Sequence, residues 1–152
     1  MSDGMAARQA RVMDLFERAR FVQHLGVKVS EVGEGLCECT LIPEAHHQQQ
    51  DGFVHAGVLA TLADHTAGGA AITVVPLDRT VLSVSFAVQL MRPATGPLRC
   101  RAEVLRHGKS LVFAEASIFA GGPERVVTRM SITLAVVPTS VGAERGPKRG
   151  GP

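Results

Sequence analysis

The spacing of apolar residues changes along the first third of the chain. Apolar residues recur every three or four positions from about Ala6 to Leu25, which predicts an amphipathic helix that ends at Gly26. Alternating apolar residues over 27–42, interrupted by a turn at 33–35, then predict a β-hairpin. The polar residues 44–54 contain an Asp-Gly turn and predict a loop.

Small and apolar residues fill the segment from His55 to about Val75, which predicts a long, very hydrophobic helix closed by Pro76. Four β-rich segments with short connections follow, and this favours antiparallel neighbours. The prediction is one α+β domain over 1–139, in which a sheet wraps around the long helix. A lone curved sheet leaves its edges exposed, so we expect a homodimer, and the Gly- and Pro-rich tail 140–152 is predicted to be disordered. The predicted strands span 79–92, 97–107, 110–120 and 125–137.

The composition fits a folded domain that needs no covalent or metal staple. The chain has 152 residues, is 45% hydrophobic, and carries a formal net charge of +2 and three cysteines. Cys37 and Cys39 fall on one face of a strand and Cys100 is distant, so we expect buried free thiols in a cytoplasmic protein. The charge is only mildly basic and no Lys/Arg run alternates with aromatics, which argues against a nucleic-acid partner. No apolar run reaches the roughly 18 residues of a membrane span.

One carboxylate, Asp64, interrupts the small residues of the long helix. A helical projection places it opposite a broad apolar face, so we expect that face against the sheet and Asp64 in a shallow groove among tiny side chains. Most acidic helix residues are simply exposed, and further features must support a role for Asp64. The apolar face holds Val58, Leu59, Leu62, Thr66 and Ile72, and the Asp64 face holds Gly57, Ala60, Ala67, Gly68 and Ala71.

Three features near this helix supply polar groups that could take part in a reaction. The helix start at 55–57 presents unpaired N–H groups and a positive dipole, which suit a developing oxyanion. The glutamines at 48–50 bring amide donors to the same end. Ser83 and Ser85, two positions apart on the next strand, are expected to share one face and to offer hydroxyls to a water or a carboxylate. An acid, an oxyanion pocket and a polarising amide together suit hydrolysis of an activated acyl group.

Two stretches carry a resemblance to a known family. The helix segment "QQDGFVHAGVLATLADHTAGGAA" resembles the H-G-G-x-x-x-x-L-x-D signature of PaaI-type acyl-CoA thioesterases, and "VLSVSFAVQLMRPATGPLRCRAEVLRHGKSLVFAEASIF" resembles the strand meander of that family. The likeness covers roughly residues 25 to 138. It implies a hot-dog fold, in which an antiparallel sheet wraps around the long central helix, preceded here by an N-terminal helix.

The resemblance implies a role for each matching residue. Asp64 becomes the catalytic carboxylate, acting as general base toward water or as nucleophile, and the Ala56 backbone N–H becomes the oxyanion donor. Gln49 would help to polarise the thioester carbonyl, and Ser83 would orient the attacking water. In the family two subunits share the active site, so Asp64 would face Gln49 and Ala56 of its partner. Ala56 replaces a motif glycine and Gln49 replaces the Asn of many members, and both departures bear on the shape of the substrate.

The other expected site residues surround this centre. His55 has no Cys or His at ligand spacing, so we expect a structural role at the helix start, no metal, and no cofactor beyond the coenzyme A of the substrate. Basic side chains near the predicted turns suit phosphates, although ordinary solvated charges would explain them equally well. The expected substrate-binding residues are His55, Gly57 and Phe86, and for the coenzyme A phosphates Arg92, Arg106 and Lys109.

The predicted activity is hydrolysis of an acyl-CoA thioester by a homodimer or a dimer of dimers. An acyl-carrier-protein thioesterase is an alternative, whereas a hydratase is disfavoured because its separated Asp and His pair has no place here. A non-catalytic module that binds acyl ligands is a third alternative, and it should tolerate loss of Asp64. A pocket with Phe86, Leu, Val and Met could hold either an aryl or a medium aliphatic acyl group.

Overall fold

A computed structural model describes residues 3–140 as three α-helices, a short 3-10 helix (Ala45–His47) and one six-stranded sheet. All strand pairs are antiparallel, in the order β1-β2-β4-β5-β6-β3, so β1 and β3 form the two edges. The sheet curves around α3, which contacts all six strands. This is the α+β hot-dog arrangement that was expected. The helices are α1 (Asp3–Arg18), α2 (Arg20–Leu25) and α3 (Ala56–Ile72), and the strands are β1 (Lys28–Gly33), β2 (Leu36–Leu41), β3 (Arg79–Leu90), β4 (Leu98–His107), β5 (Leu111–Ala120) and β6 (Val126–Pro138).

The central helix α3 is buried most completely in its C-terminal half, where every residue from Thr66 to Ile72 is buried. It ends at Ile72, a little before the predicted end, because Thr73 caps it. The Thr73 hydroxyl donates to the Ala70 carbonyl at 2.7 Å and accepts the Gly35 N–H at 2.8 Å. The end of α3 is therefore tied to the β1–β2 turn.

The predicted N-terminal helix is divided at Ala19, whose φ of −81° and ψ of 84° lie outside the helical region. The Gln23 side-chain amide donates to the Phe16 carbonyl at 2.8 Å and so satisfies a carbonyl at the end of α1. The change of direction lets both Phe16 and Val22 reach the core. Gly26 closes α2 with a φ of 78°, as predicted.

Arg11 fastens α1 to the connection between α3 and β3. Its guanidinium donates to the carbonyls of Ile72 and Val75 at 2.9 Å, of Pro76 at 3.2 Å and of Arg79 at 2.6 Å. These carbonyls belong to the end of α3 and to the turn beyond it, where backbone acceptors lack helical partners. The N-terminal helix thus fixes the position at which β3 begins.

The three cysteines are free and buried, as expected. Within residues 3–140, no helix combines the length and the apolar character needed to cross a membrane. The predicted tail lies outside the described residues from position 141 onward.

Candidate active site

The first turn of α3 leaves a single backbone donor available. His55 is the N-cap, and its Nδ1 accepts the Gly57 N–H at 2.8 Å. The N–H groups of Val58 and Leu59 both donate to the His55 carbonyl. Of the four N–H groups at this helix start, only that of Ala56 lacks a hydrogen-bond partner among residues 3–140. The expected structural role of His55 thus singles out the Ala56 N–H as the donor aimed outward.

Gln49 is held in a fixed orientation in the loop before α3. Its backbone N–H donates to the Phe53 carbonyl at 2.8 Å, and its carbonyl accepts the Gly52 N–H at 3.1 Å. The Asp51 N–H donates to the side-chain Oε1 of Gln49. With that oxygen engaged, the Gln49 side chain presents its NH₂ group as a donor. Gln49 and Ala56 line one cavity of about 330 Å³, together with Arg92.

His47 organises this loop, a contribution that the sequence reasoning missed. The side chain is 1% exposed; its Nδ1 accepts the Glu44 N–H and its Nε2 donates to the Leu25 carbonyl, both at 2.8 Å. The His47 carbonyl accepts the His55 N–H at 2.8 Å. His47 therefore joins the end of α2 to the residue that caps α3. A histidine within a polar stretch carries no sequence signal of such burial.

Asp64 lies midway along α3 and is half-buried. Its Oδ1 accepts a hydrogen bond of 2.6 Å from the hydroxyl of Ser83 on β3. A carboxylate that accepts one hydroxyl proton keeps further lone pairs for a water or a reacting carbonyl carbon. The structure thus brings Asp64 and Ser83 together, at the edge of the sheet.

A β-bulge at Val84 separates the two serines. Ser83 pairs with Leu134, which is buried, whereas Ser85 pairs with the next residue back, Thr133. Since pairing partners share a face and faces alternate along a strand, Ser83 points toward α3 and Ser85 points away from it. The prediction that the two serines share one face is therefore wrong. Phe86, paired with the buried Ile132, returns to the face of Ser83.

The predicted small-residue face of α3 is only partly a groove. Ala67, Gly68 and Ala71 are buried, so their assignment to an open groove is wrong. Periodicity could not show this, because α3 is apolar on all sides and N-terminal elements cover part of its surface. The accessible part of that face holds Gly57, Ala60 and Asp64.

One chain does not bring Asp64 to the oxyanion donors. Asp64 follows Ala56 by two helical turns, a separation of about 12 Å along the axis. Both groups lie beside β3, the edge strand, where the sheet has no further neighbour in this chain. The two halves of the site therefore lie side by side on one open edge.

The three cations expected to meet phosphates lie at opposite ends of the sheet. Arg92 follows β3, lines the cavity of Gln49 and Ala56, and donates to the Val126 carbonyl at 2.5 Å. Arg106 and Lys109 lie at the far end of β4 and in the turn beyond it. A strand of this length spans roughly 33 Å, so one chain does not gather the three.

Metal-ligating side chains do not cluster in the described part of the chain. Within residues 3–140, no group of three or more His, Cys, Asp or Glu side chains is arranged to hold a metal ion. His55, His47 and His65 are each occupied by local packing or hydrogen bonds. The chemistry of this edge rests on a carboxylate, a hydroxyl, an amide and a backbone N–H.

Comparison with known proteins gives the class of this fold and site. The chain matches the thioesterase superfamily over residues 51–127, which is about half of its length and contains Asp64, Ala56 and Ser83. The chain belongs to the thioesterase superfamily. The resemblance noted in the sequence is thereby confirmed.

Individual relatives agree in fold. A thioesterase family protein from Silicibacter pomeroyi is 31% identical, with a TM-score of 0.82, covering 86% of this chain and 98% of that one. The PaaI protein of E. coli has a TM-score of 0.80 at 17% identity, covering 88% of this chain and 95% of that one, and shares the fold. A protein from Halobacterium salinarum, whose name marks it as a candidate esterase, is 36% identical over 102 residues. That match spans 62% of this chain and 66% of the Halobacterium protein.

Proposed function

We propose that this protein hydrolyses acyl-CoA thioesters at sites formed between two copies of the chain. The observation that carries the proposal is that Ala56, whose N–H lacks a partner within residues 3–140, lines the same cavity as Gln49, whose NH₂ group is left as a donor. Two donors in one cavity suit a thioester carbonyl oxygen that becomes an oxyanion. Family membership supports thioester cleavage in general, and coenzyme A as the thiol is part of the proposal.

The proposed chemistry assigns one task to each group. Asp64 either removes a proton from water, which adds to the carbonyl carbon, or attacks that carbon itself and is then released by water. Ser83 holds the carboxylate through its 2.6 Å hydrogen bond and orients the attacking water. The tetrahedral intermediate places its oxyanion near Ala56 N–H and Gln49 NH₂ and collapses by breaking the carbon–sulfur bond. The thiolate that leaves takes the proton held by Asp64 or, when Asp64 is the nucleophile, a proton from water. The products are a carboxylate and the thiol of coenzyme A, and no metal or redox cofactor takes part.

Pairing of two copies along β3 would complete the site. This edge strand is 12 residues long and exposes Leu82, Val84, Phe86 and Leu90. An unpaired, apolar edge of this length favours a strand partner. Antiparallel pairing of β3 with its copy reverses the two ends, so Asp64 of one subunit approaches Gln49 and Ala56 of the partner subunit. The same reversal brings Arg106 and Lys109 toward the end that carries Arg92 of the partner subunit, where coenzyme A phosphates would bind.

The activity is tested by thiol release from acetyl-, hexanoyl-, decanoyl-, benzoyl- and phenylacetyl-CoA, followed with a thiol-trapping dye. We expect turnover of at least one of these substrates by the wild-type protein. An absence of turnover, combined with tight acyl-CoA binding that survives Asp64→Asn, would replace this proposal with the non-catalytic binding module.

The shared site is tested by mixing two inactive variants. Asp64→Asn and Gln49→Ala each disable one half of the proposed site, so a mixed dimer keeps one intact site. After full subunit exchange we expect recovery of about one quarter of the wild-type rate, because half of the dimers are mixed. Asp64→Asn mixed with Ser83→Ala is the matched control, since both changes lie in the same half, and the rate should stay at the average of the two. Mixed dimers detected by mass without recovered activity would contradict a shared site.

A further inference from the structure

The loop that carries Gln49 is closed at its base by a hydrogen bond between His47 and His55. The His55 N–H donates to the His47 carbonyl at 2.8 Å, and the next residues inward from these two form an isolated β-bridge. Gln49 follows His47 by two residues, and Ala56 directly follows His55. Both proposed oxyanion donors therefore lie within two residues of this base, so the placement of the base governs the placement of each donor.

The side chain of His47 connects the base of the loop with the body of the domain. Its Nε2 donates to the carbonyl of Leu25, which lies 22 residues away in sequence, and its Nδ1 accepts the N–H of Glu44. Leu25 is the last residue of α2, where backbone carbonyls lack helical partners. Since the ring is buried and both of its nitrogens are engaged, it cannot rotate without leaving buried polar groups unpaired.

The two hydrogen bonds of the ring fix different things. Glu44 is the residue that precedes the short 3-10 helix ending at His47, so the bond to its N–H shapes the loop only locally. Leu25 belongs to another element, and α2 itself contacts α3. The bond to the Leu25 carbonyl therefore sets where the loop lies relative to the start of α3.

We infer that His47 is a positioning residue for thioester cleavage, which holds the Gln49 NH₂ group and the Ala56 N–H in their common cavity through its contact with Leu25. The inference rests on the proposed thioesterase function. The His47 ring is buried, so it acts through the two donors and does not touch the substrate. Because the oxyanion forms only during the reaction, displaced donors should lower kcat and leave KM nearly unchanged.

Three substitutions at position 47 separate the two hydrogen bonds. His47→Gln can keep an amide donor near the place of Nε2, His47→Asn can keep an amide acceptor near the place of Nδ1, and His47→Ala keeps neither. We expect kcat for acyl-CoA hydrolysis to fall about 10²-fold in His47→Ala and His47→Asn, the cost of a displacement of about 1 Å, and less than about tenfold in His47→Gln. KM should change less than about threefold in all three variants.

Val12→Ala is the control for a general loss of stability. It removes buried methyl groups from α1, outside the loop and the start of α3, and its kcat should stay within about twofold of the wild-type value. Thermal unfolding checks that each variant is folded. An unchanged kcat in folded His47→Ala, or equal kcat values in His47→Gln and His47→Asn, would overturn the inference. The comparison of His47→Gln with His47→Asn decides the matter alone should His47→Ala fail to fold.

Mixing of variants shows which half of the shared site depends on His47. His47→Ala mixed with Asp64→Asn should recover about one quarter of the wild-type rate, because each mixed dimer keeps one intact site. His47→Ala mixed with Gln49→Ala should recover nothing, since both changes lie in the same half. Recovery in the second mixture would contradict the assignment of His47 to the donors.

A measurement without substrate separates this inference from the thioesterase proposal. In the free protein, ¹⁵N relaxation reports the order of the Ala56 N–H and the Gln49 NH₂ group on the picosecond to nanosecond timescale. We expect both groups to be ordered in the wild-type and His47→Gln proteins and mobile in His47→Asn. That result supports the positioning of the donors even if the wild-type protein hydrolyses no thioester, an outcome that would remove only the proposed function. Unchanged order and chemical shifts of both groups in His47→Asn would overturn the positioning role, whatever the activity.

Discussion

Two pairs of adjacent residues on α3, Asp64–His65 and Gly68–Gly69, lie one helical turn apart and show the same difference between the two sides of the helix. Asp64 and Gly68 lie beside the open edge strand, whereas His65 and Gly69 face α1. The His65 ring lies 4.5 Å from that of Phe16, and a Cβ on Gly69 would approach Cys37 Sγ to 2.9 Å. The same added atom on Gly68 would meet nothing within 4 Å.

One side of α3 is closely packed against α1, and the other side carries the carboxylate of Asp64. On the α1 side the Cys37 and Phe16 side chains pack so closely on Gly69 that a methyl group has no room, and the His65 Nε2 is buried there. On the β3 side Asp64 is only half-buried, and a Cβ on Gly68 would have room although Gly68 itself is buried. Burial of an unpaired charge is costly, and Asp64 lies on the side of α3 where that cost is smaller.

The largest effect is expected from Asp64→Asn. Asparagine keeps the volume and an acceptor for Ser83 but removes the base or nucleophile, so the rate should fall at least about 10²-fold. The free energy of unfolding should change by less than about 0.5 kcal/mol, as for other exposed-side substitutions. Thiol release and urea denaturation measure the two quantities. A wild-type rate in this variant would remove Asp64 from the mechanism.

The second prediction compares the stabilities of the Gly68→Ala and Gly69→Ala variants. Both substitutions by alanine gain the same helix propensity, so their difference isolates the contact that the new methyl group makes. Gly69→Ala should be less stable than Gly68→Ala by about 1–3 kcal/mol, because its methyl overpacks against Cys37 and Phe16. Urea denaturation of both proteins gives the difference.

A second substitution checks the cause. In a double-mutant cycle, Cys37→Ala should relieve part of the Gly69→Ala penalty, because it removes the sulfur that the new Cβ would approach. Equal stabilities of the two glycine variants, or additive effects in the cycle, would contradict this prediction. They would show that the side chains around Gly69 can move to make room for a methyl group.

Gly68→Ala alone should stabilise the protein by up to about 1 kcal/mol. Alanine has a higher helix propensity than glycine, and the added methyl meets open space. The expected result is a higher Tm in thermal unfolding followed by circular dichroism. A lower Tm would mean that the space above Gly68 is filled in solution, for example by the partner subunit.

Sequence periodicity predicted this fold well and the open site in part. The long helix, the hairpin and the four later strands all exist. The expectation that a serine hydroxyl of this strand meets a carboxylate has its counterpart in the hydrogen bond from Ser83 to Asp64. The bulge at Val84 could not be predicted from the sequence, because one inserted residue leaves the alternation of apolar residues almost unchanged. The bulge nevertheless turns the Ser85 side chain to the opposite face of the sheet.

The remaining differences have the same origin in tertiary contacts. The break at Ala19 follows from where two helical segments meet the core, and no breaker residue marks it. Ala67, Gly68 and Ala71 could not be told from Gly57 and Ala60 as small residues, since only packing decides which of them is covered. The His47 side chain contacts the Leu25 carbonyl, which is distant in sequence, and the Glu44 N–H of its own loop. Apolar periodicity reveals neither contact.

The smallest effect concerns His65, the α1-facing neighbour of Asp64. Burial lowers the pKa of His65 from its ordinary value of 6.5, and the charge of Asp64 and a hydrogen bond to the Leu15 backbone offset this only in part. Its Nε2 is buried and has no hydrogen-bond partner within residues 3–140. The folded protein therefore binds a proton at this site less readily than the unfolded chain does.

That difference makes stability depend on pH. As the pH falls below 6.5, the unfolded chain takes up a proton at His65 first, so the free energy of unfolding decreases until the lowered pKa of the folded state is reached. His65→Leu removes this contribution, and we expect a shallower loss of stability between about pH 7 and about pH 5, by less than about 1 kcal/mol. Urea denaturation of both proteins across that range measures the slopes. Equal slopes would mean that the α1 side admits water to His65, and the two sides of α3 would then differ less in solvation than in packing.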